Sequence, residues 1–239
     1  MKNFKTFCYS IYLDFLSFIR VKIAVFFSLI FPIMLFLIFG NIWGNGSKEY
    51  IFFLFTGLIC LITISEGLFS IGPVVKDFYS SGWIKFIRTM PLGKSFFFSS
   101  FIFSRIIFFE FVIFVLALIS HFYFDVNPFP FYHKVIISSF LGFIVFSNLG
   151  LIVSLWLKDS SSRAVSNFLY FILIFISDIF YNINKEGSII SYINSHLPVN
   201  NLVNYMRGNE MNWLILIAWI IFPVIILKCQ FKYGNFTNR

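Results

Sequence analysis

The chain has 239 residues, of which 59% are hydrophobic and only 12% are charged, and its formal net charge at pH 7 is +8. Soluble domains contain about 45–50% apolar and about 25% charged residues, so this composition excludes a soluble globular protein and indicates a polytopic membrane protein. In such a protein an excess of Lys and Arg reflects orientation in the membrane. The sequence shows no basic face of the kind that binds nucleic acid.

The first 22 residues place apolar side chains at helical spacing. Phe4, Phe7, Ile11, Phe15 and Phe18 fall on one face, and the charged and hydroxyl side chains lie largely elsewhere on the helical wheel. This pattern predicts an amphipathic helix over residues 1–22 that lies in the membrane interface with its Phe face in lipid. The alternative is a simple extension of the first membrane span.

Six apolar segments follow, and a helix needs about 20 residues to cross ~30 Å of hydrocarbon. The segments are 23–42, 50–71, 98–121, 135–157, 167–184 and 212–228. We therefore predict an all-α polytopic membrane protein in which residues 23–239 form a transmembrane domain of six helices. The fourth segment carries a row of small residues that predicts close helix packing, namely Ser138, Gly142, Gly150 and Ser154.

The distribution of basic residues predicts the orientation. Six spans place both termini on one side of the membrane, and that side carries thirteen Lys and Arg residues against four on the other side. Because cytoplasmic loops carry the excess of Lys and Arg, both termini are expected in the cytoplasm. We expect an integral protein of the bacterial inner membrane.

The longest outer loop, residues 185–211, is also patterned. Its apolar residues keep helical spacing from Ile189 to Leu197, Pro198 interrupts them, and Leu202 and Tyr205 belong to a second apolar face. The loop is therefore predicted to form two short helices that lie on the outer leaflet or dip into it before the last span.

No catalytic or ligand-binding motif is complete. His121, His133 and His196 lack the spacing of zinc or hydrolase motifs, and the three isolated cysteines suggest neither a disulfide framework nor a metal site. The tripeptide 93–95, Gly-Lys-Ser, resembles the end of a phosphate-binding loop, but Arg88 stands where that motif needs its first glycine. No cofactor is therefore expected on this chain.

Four ionisable residues lie within the predicted spans: Glu66, Arg105, Glu110 and Asp178. A charge at the centre of a membrane helix costs about 2.5–3.5 kcal/mol, so such residues usually pair or line a cavity. Glu66 and Arg105 fall in the cytoplasmic halves of successive spans, which predicts an ion pair between them. A role in substrate or proton binding is the alternative.

The cytoplasmic loop 73–94, between the second and third spans, is the most distinctive segment. Gly82 allows a break in the chain, residues 83–88 can form a short amphipathic helix that begins at Trp83, and Pro91 ends it. Its basic residues are Lys76, Lys85 and Arg88. A soluble partner can bind such a helix in a groove. The alternative is a surface helix that only anchors the two spans.

This loop resembles the first cytoplasmic loop of ABC-2-type transporter permeases. There an acidic residue and a Gly are followed nine positions later by a Pro, and this chain has Asp77, Gly82 and Thr89-Met90-Pro91-Leu92, with Met90 interrupting the family's Thr-Pro. The segment from Pro198 to Arg207 is similar to the Leu-Pro…Arg segment before the last span of that family. The amphipathic start, the six spans and the long final outer loop agree along the entire chain. The chain departs from the family at Asp178, where Ser-Gly is usual.

The resemblance implies a permease subunit of an ABC exporter. Such permeases work as dimers with a second copy or a homologue, and separate ATPase subunits bind ATP and Mg²⁺. The loop 73–94 would couple the permease to the ATPase through Lys76, Asp77, Gly82, Trp83, Lys85, Arg88 and Pro91, and the helix over residues 1–22 would brace it. The cargo would be hydrophobic or amphipathic: a drug, a peptide, a lipid or a lipid-linked glycan.

Three other functions remain open on the residues alone. A secondary transporter or channel without an ATPase predicts inverted repeats or broken helices near the membrane centre. A membrane-bound enzyme requires convergent catalytic groups. A noncatalytic assembly or immunity subunit would share the permease fold.

Overall fold

The computed structural model describes residues 2–44, 46–89, 93–181 and 189–233. The described residues are almost entirely helical and contain no strand. The helices are α1 (Lys2–Arg20), α2 (Lys22–Trp43), α3 (Lys48–Ser80), α4 (Trp83–Thr89), α5 (Gly93–Tyr123), α6 (Tyr132–Trp156), α7 (Asp159–Phe175), α8 (Ile189–His196), α9 (Pro198–Met206) and α10 (Trp213–Tyr233).

Four helical segments among the described residues are long and apolar enough to cross a membrane. They are α2, α3, most of α5 (Ser95–Tyr123), and Phe129–Trp156, which contains α6. Two apolar segments are shorter: Ser161–Phe175 of α7 overlaps the first half of the predicted fifth span, and Trp213–Cys229 of α10 coincides with the predicted sixth span. The class of α-helical membrane protein is thus confirmed, with four spans of full length in the described part of the chain.

The predicted fifth span, 167–184, differs most from the structure. The helix begins eight residues earlier, at Asp159, and ends at Phe175. The hydroxyl of Ser177 donates to the carbonyls of Leu173 and Ile174 in the last helical turn. Such side-chain bonds compete with continued helix. Residues 176–181 then run as turns and bends, and positions 182–184 lie outside the described residues.

Two of the long helices contain π-helical segments, each followed by a proline. Phe26–Ile30 lies within α2 and precedes Pro32, and Gly67–Ile71 lies within α3 and precedes Pro73. Proline lacks an N–H and its ring clashes with the carbonyl four residues earlier, so a wider helical turn relieves the conflict. Both prolines are accommodated without ending the helix.

Glycines hold α3 and α6 in close contact. A Cβ atom on Gly72 would lie 2.3 Å from the carbonyl oxygen of Gly150, and a Cβ on Gly150 would lie 2.7 Å from that of Leu68. The row of small residues predicted to mediate packing of the fourth span is buried, as expected: Ser138, Gly142, Gly150 and Ser154. The α3–α6 pair therefore forms the centre of the bundle.

The helix α1 packs along the first half of α5 rather than facing lipid with its whole Phe side. Phe7 lies 5.4 Å from Phe96 and Phe18 lies 4.6 Å from Phe108, measured between ring centroids. Phe4, in contrast, is exposed. The apolar face predicted to enter the lipid is thus largely used to attach α1 to the bundle.

Successive long helices run in opposite directions, so their ends define two ends of the molecule. The α4 end contains the α1–α2 junction, α4 itself and the α6–α7 junction, and the α9 end contains α8, α9 and the α2–α3 turn. At the α4 end, Lys76 of α3 donates a hydrogen bond to the carbonyl of Leu157, directly after α6. The start of the 73–94 loop is therefore tied to the junction between α6 and α7.

Candidate functional site

The short helix α4 is divided sharply between buried and exposed side chains. Ile84 and Ile87 are 7% and 0% exposed, whereas Trp83 and Phe86 are 51% and 56% exposed. The rings of Trp83 and Phe86 meet edge to face with centroids 5.4 Å apart. Two isoleucines thus anchor the helix while an aromatic pair faces outward.

A tight turn at Gly82 sets the direction of α4. The carbonyl of Asp77 accepts hydrogen bonds from the backbone N–H and the hydroxyl of Ser81 at the end of α3. Gly82 then adopts a φ of +76°, which residues with a side chain rarely adopt. Asp77 and Lys85 are exposed; the side chain of Arg88 and all of Pro91 lie outside the described residues.

A cavity of about 840 Å³ lies between α2, α3 and α7. Its wall is largely aromatic and aliphatic, with Phe31, Phe69 and Tyr170 among the lining residues. Phe27 of α2 and Phe171 of α7 also line it and are exposed at the protein surface. The cavity is thus bounded by α2, the least buried of the long helices.

Glu66 and Arg105 both line this cavity, but they do not form the predicted ion pair within the described structure. The hydroxyl of Ser28 donates to Glu66 Oε1 at 2.6 Å, and this bond joins α2 to α3. The guanidinium of Arg105 lies 4.1 Å from the ring centroid of Phe18 and 5.2 Å from that of Phe101. The two charges interact across the cavity without direct contact.

Arg105 also interacts electrostatically with Asp14 of α1, a residue that the sequence reasoning missed. Asp14 Oδ2 lies 3.5 Å from the Ser100 hydroxyl of α5. Burial raises the pKa of the Asp14 carboxyl, while the Ser100 hydroxyl and the charge of Arg105 act in the opposite direction. The available signal was that Asp14 is the one acidic residue among the first 22.

The other two intramembrane acids lie away from the cavity. Glu110 of α5 accepts a hydrogen bond from the Ser139 hydroxyl of α6 at 2.7 Å. Asp178, which is buried beyond the end of α7, accepts one from the Asn194 amide of α8 at 2.9 Å. The four predicted intramembrane charges therefore do not form one site, and these two connect neighbouring helices.

The helix α9 inserts into the α9 end of the bundle and is largely buried. It begins at the buried Pro198, and Ser138 of α6 donates to the carbonyl of Leu202 at 3.4 Å. Arg207, directly after α9, donates to Thr56 Oγ1 at 3.1 Å and to the carbonyl of Phe53 at 3.3 Å. The predicted motif residues Pro198 and Arg207 thus bracket a helix held against α3 and α6.

Arg207→Gln should destabilise the protein, because it removes two hydrogen bonds from a charged donor and the contact of the guanidinium with the Phe53 ring. Hydrogen bonds to charged groups contribute about 1.5–3 kcal/mol each, so we expect the free energy of unfolding to fall by about 2 kcal/mol or more. Thermal unfolding in detergent measures it. Lys48→Gln, at an exposed position in the first turn of α3, is the control, and equal melting temperatures would show that Arg207 does not hold α9 in place.

Comparison with known proteins identifies one family. A model of the ABC-2 type transporter family matches residues 6–211. The match extends from α1 to just beyond Arg207, so it includes α4, the cavity and α9. No curated protein sequence matches the chain significantly.

Proposed function

The chain belongs to the ABC-2 type transporter family, and from this premise we propose that it is the membrane-spanning permease subunit of an ATP-driven exporter. In this proposal the ATPase is a separate subunit that binds ATP and Mg²⁺. Residues 93–95 do not complete a phosphate-binding loop, because Arg88 stands where that motif needs its first glycine. A second copy or a homologue of the permease completes the transporter.

The observation that carries this proposal is the exposed pair Trp83 and Phe86 on a helix that is otherwise anchored. Aromatic side chains dominate the binding energy of many protein interfaces, and a short amphipathic helix fits a groove on a partner. The exposed Lys85 beside them adds charge. The α4 helix is therefore the docking element for the ATPase, with residues 73–94 as the coupling loop.

A movement of α4 can reach the cavity through α3. The loop begins at the end of α3, and the bond from Lys76 to the Leu157 carbonyl connects that end to the α6–α7 junction. Farther along α3, Glu66 lines the cavity, and α7 forms the cavity's opposite wall. Closure of the ATPases would thus shift α3 and α7 together and change the shape of the cavity.

The cavity is the site through which cargo passes. Its aromatic and aliphatic wall suits a hydrophobic or amphipathic cargo, and its volume lies within the range of about 300–1,000 Å³ that is usual for ligand pockets. The buried helix α9, held by Arg207, closes the α9 end of the bundle.

The chain crosses the bacterial inner membrane six times, with α7 and α10 as the fifth and sixth crossings and both termini in the cytoplasm. The excess of Lys and Arg at the α4 end supports this orientation. It places α4 where a cytoplasmic ATPase can reach it.

Labelling of single cysteines tests this arrangement. In a chain whose three natural cysteines are replaced by alanine, Lys85→Cys should react with a membrane-impermeant maleimide only after the cells are permeabilised. Asn209→Cys, at the α9 end, should react in intact cells. Both positions are exposed, so each labels readily on the side where it lies. Labelling of Lys85→Cys in intact cells would place α4 outside and exclude a cytoplasmic ATPase as its partner.

A further inference from the structure

The cavity between α2, α3 and α7 contains two opposite charges that do not pair. Glu66 is 5% exposed and Arg105 is partly buried, and both line the same apolar wall. A buried ion pair would be the ordinary way to offset the cost of placing both in a membrane. Here Glu66 is hydrogen-bonded to Ser28, Arg105 lies against two aromatic rings, and both side chains line the cavity without direct contact within the described structure.

The hydrogen-bonding capacity of Arg105 is not used by the described part of the chain. A guanidinium carries five N–H donors in its plane, and the contacts of Arg105 there are with the rings of Phe18 and Phe101. An aromatic ring over the face of a guanidinium leaves the donors at its edge free to bind a phosphate or carboxylate in two-point fashion.

Glu66 likewise retains acceptor capacity. Its Oε1 accepts from Ser28, and an ionised carboxylate offers about four acceptor positions in total. Close by, Ser70 also lines the cavity, and its hydroxyl interacts with the Glu66 carboxyl. These groups are suited to a positively charged donor such as an ammonium group.

We propose that the cavity binds a single-chain amphiphile whose headgroup carries one anionic and one cationic group. The anionic group binds the edge of the Arg105 guanidinium, the cationic group binds Glu66, and the apolar chain lies along the aromatic wall that includes Phe31, Phe69 and Tyr170. An amphiphile with only one charge would bind either Glu66 or Arg105, but not both.

That such a molecule is the cargo rests on the transport function proposed above, but its binding to the permease does not. Binding can be measured on the purified chain without ATP or a partner. A failure to bind would thus leave the ATPase partnership intact, and a failure to find an ATPase would leave the binding result intact.

The test uses lysophosphatidylethanolamine with a fluorescent acyl chain, and binding to the purified protein in a non-ionic detergent is followed by fluorescence anisotropy. The comparison ligands carry the same chain on an anionic lysophosphatidylglycerol headgroup or a cationic primary ammonium headgroup. Each comparison ligand lacks one of the two charge-assisted bonds, and such a bond contributes about 1.4 kcal/mol or more. The zwitterionic ligand should therefore bind about tenfold more tightly than either comparison ligand.

Substitutions in the cavity identify the two charged contacts. Glu66→Gln and Arg105→Gln should each weaken binding of the zwitterionic ligand about tenfold. Glu66→Gln should not weaken binding of the anionic ligand, and Arg105→Gln should not weaken binding of the cationic ligand. Glu110→Gln, which changes an acid outside the cavity lining, is the control and should bind like the wild type.

Equal affinities for the three ligands would overturn the proposal and show that the cavity selects only the apolar chain. The proposal also fails if Glu66→Gln, verified as folded by its melting temperature, binds the zwitterionic ligand as tightly as the wild type. Arg105 contacts two rings as well as the cavity, so its glutamine variant could unfold. In that case the Glu66→Gln result and the ligand series decide the question.

Discussion

Replacing both Trp83 and Phe86 by alanine is expected to release the ATPase from the permease while the permease itself stays folded. Both side chains are more than half exposed, so they contribute little to the core, whereas Ile84 and Ile87 keep α4 attached. Truncating an aromatic hot-spot residue typically costs 2 kcal/mol or more. The double variant should therefore lower ATPase affinity by about a hundredfold or more.

The measurement is the amount of ATPase retained per mole of tagged permease after isolation in mild detergent, together with the melting temperature. The control is the double variant Trp213→Ala and Phe222→Ala, which removes two exposed aromatic rings from α10. Retention of ATPase at the wild-type level by the Trp83 and Phe86 variant would show that α4 is not the docking element.

The second large effect is a loss of stability of the folded permease, which we expect from Gly72→Val at the contact between α3 and α6. A Cβ atom there would lie 2.3 Å from the Gly150 carbonyl oxygen and 2.6 Å from Ser154 Oγ. Overpacking a core typically costs about 1–3 kcal/mol, and here the obstacle is a backbone atom that cannot turn away. We therefore expect the free energy of unfolding to fall by about 3 kcal/mol or more. The yield of monodisperse protein should fall several-fold as a result.

Size-exclusion chromatography of detergent extracts and thermal unfolding measure this effect. Ala218→Val also enlarges a small residue, but on an exposed position of α10, and it should behave like the wild type. If Gly72→Val melted at the wild-type temperature, the close approach of α3 and α6 would be wrong.

The sequence was most informative where apolar length alone decides the structure. The segments that became α2, α3, α5 and α6 are long apolar runs bounded by polar residues, and the family resemblance is confirmed by the match over residues 6–211. The residue at which α7 ends could not be predicted from apolar length. Residues 176–181 are mostly apolar, and the backbone of Ile179 packs beside Gly57 of α3, a contact between distant parts of the chain.

The predicted ion pair between Glu66 and Arg105 shows a second limit of prediction from the sequence. Sequence position places both residues at a similar depth in the membrane, but it does not give the rotation of α5 about its axis. That rotation brings Arg105 to Phe18 of α1, while Ser28 from α2 reaches Glu66. Only the tertiary arrangement shows that the two charges face one cavity without touching.

For α4, sequence reasoning predicted a short helix from Trp83 but not its orientation. The spacing of Ile84 and Ile87 by three residues places them on one helical face, and Phe86 then shares the opposite side with Trp83. That spacing could have identified Phe86, which the sequence analysis did not single out. The coupling roles of Lys76, Asp77, Gly82, Trp83, Lys85, Arg88 and Pro91 remain predictions.

Site-specific photo-crosslinking from position 86 tests most directly the claim that α4 binds the ATPase. A photoreactive phenylalanine analogue replaces Phe86, and the same analogue at the exposed position Phe222 of α10 serves as the control. We predict a crosslink from position 86 to a chain that contains a complete ATP-binding motif, and none from position 222. Absence of that product from position 86, in membranes where the ATPase still co-purifies with the permease, would contradict the account.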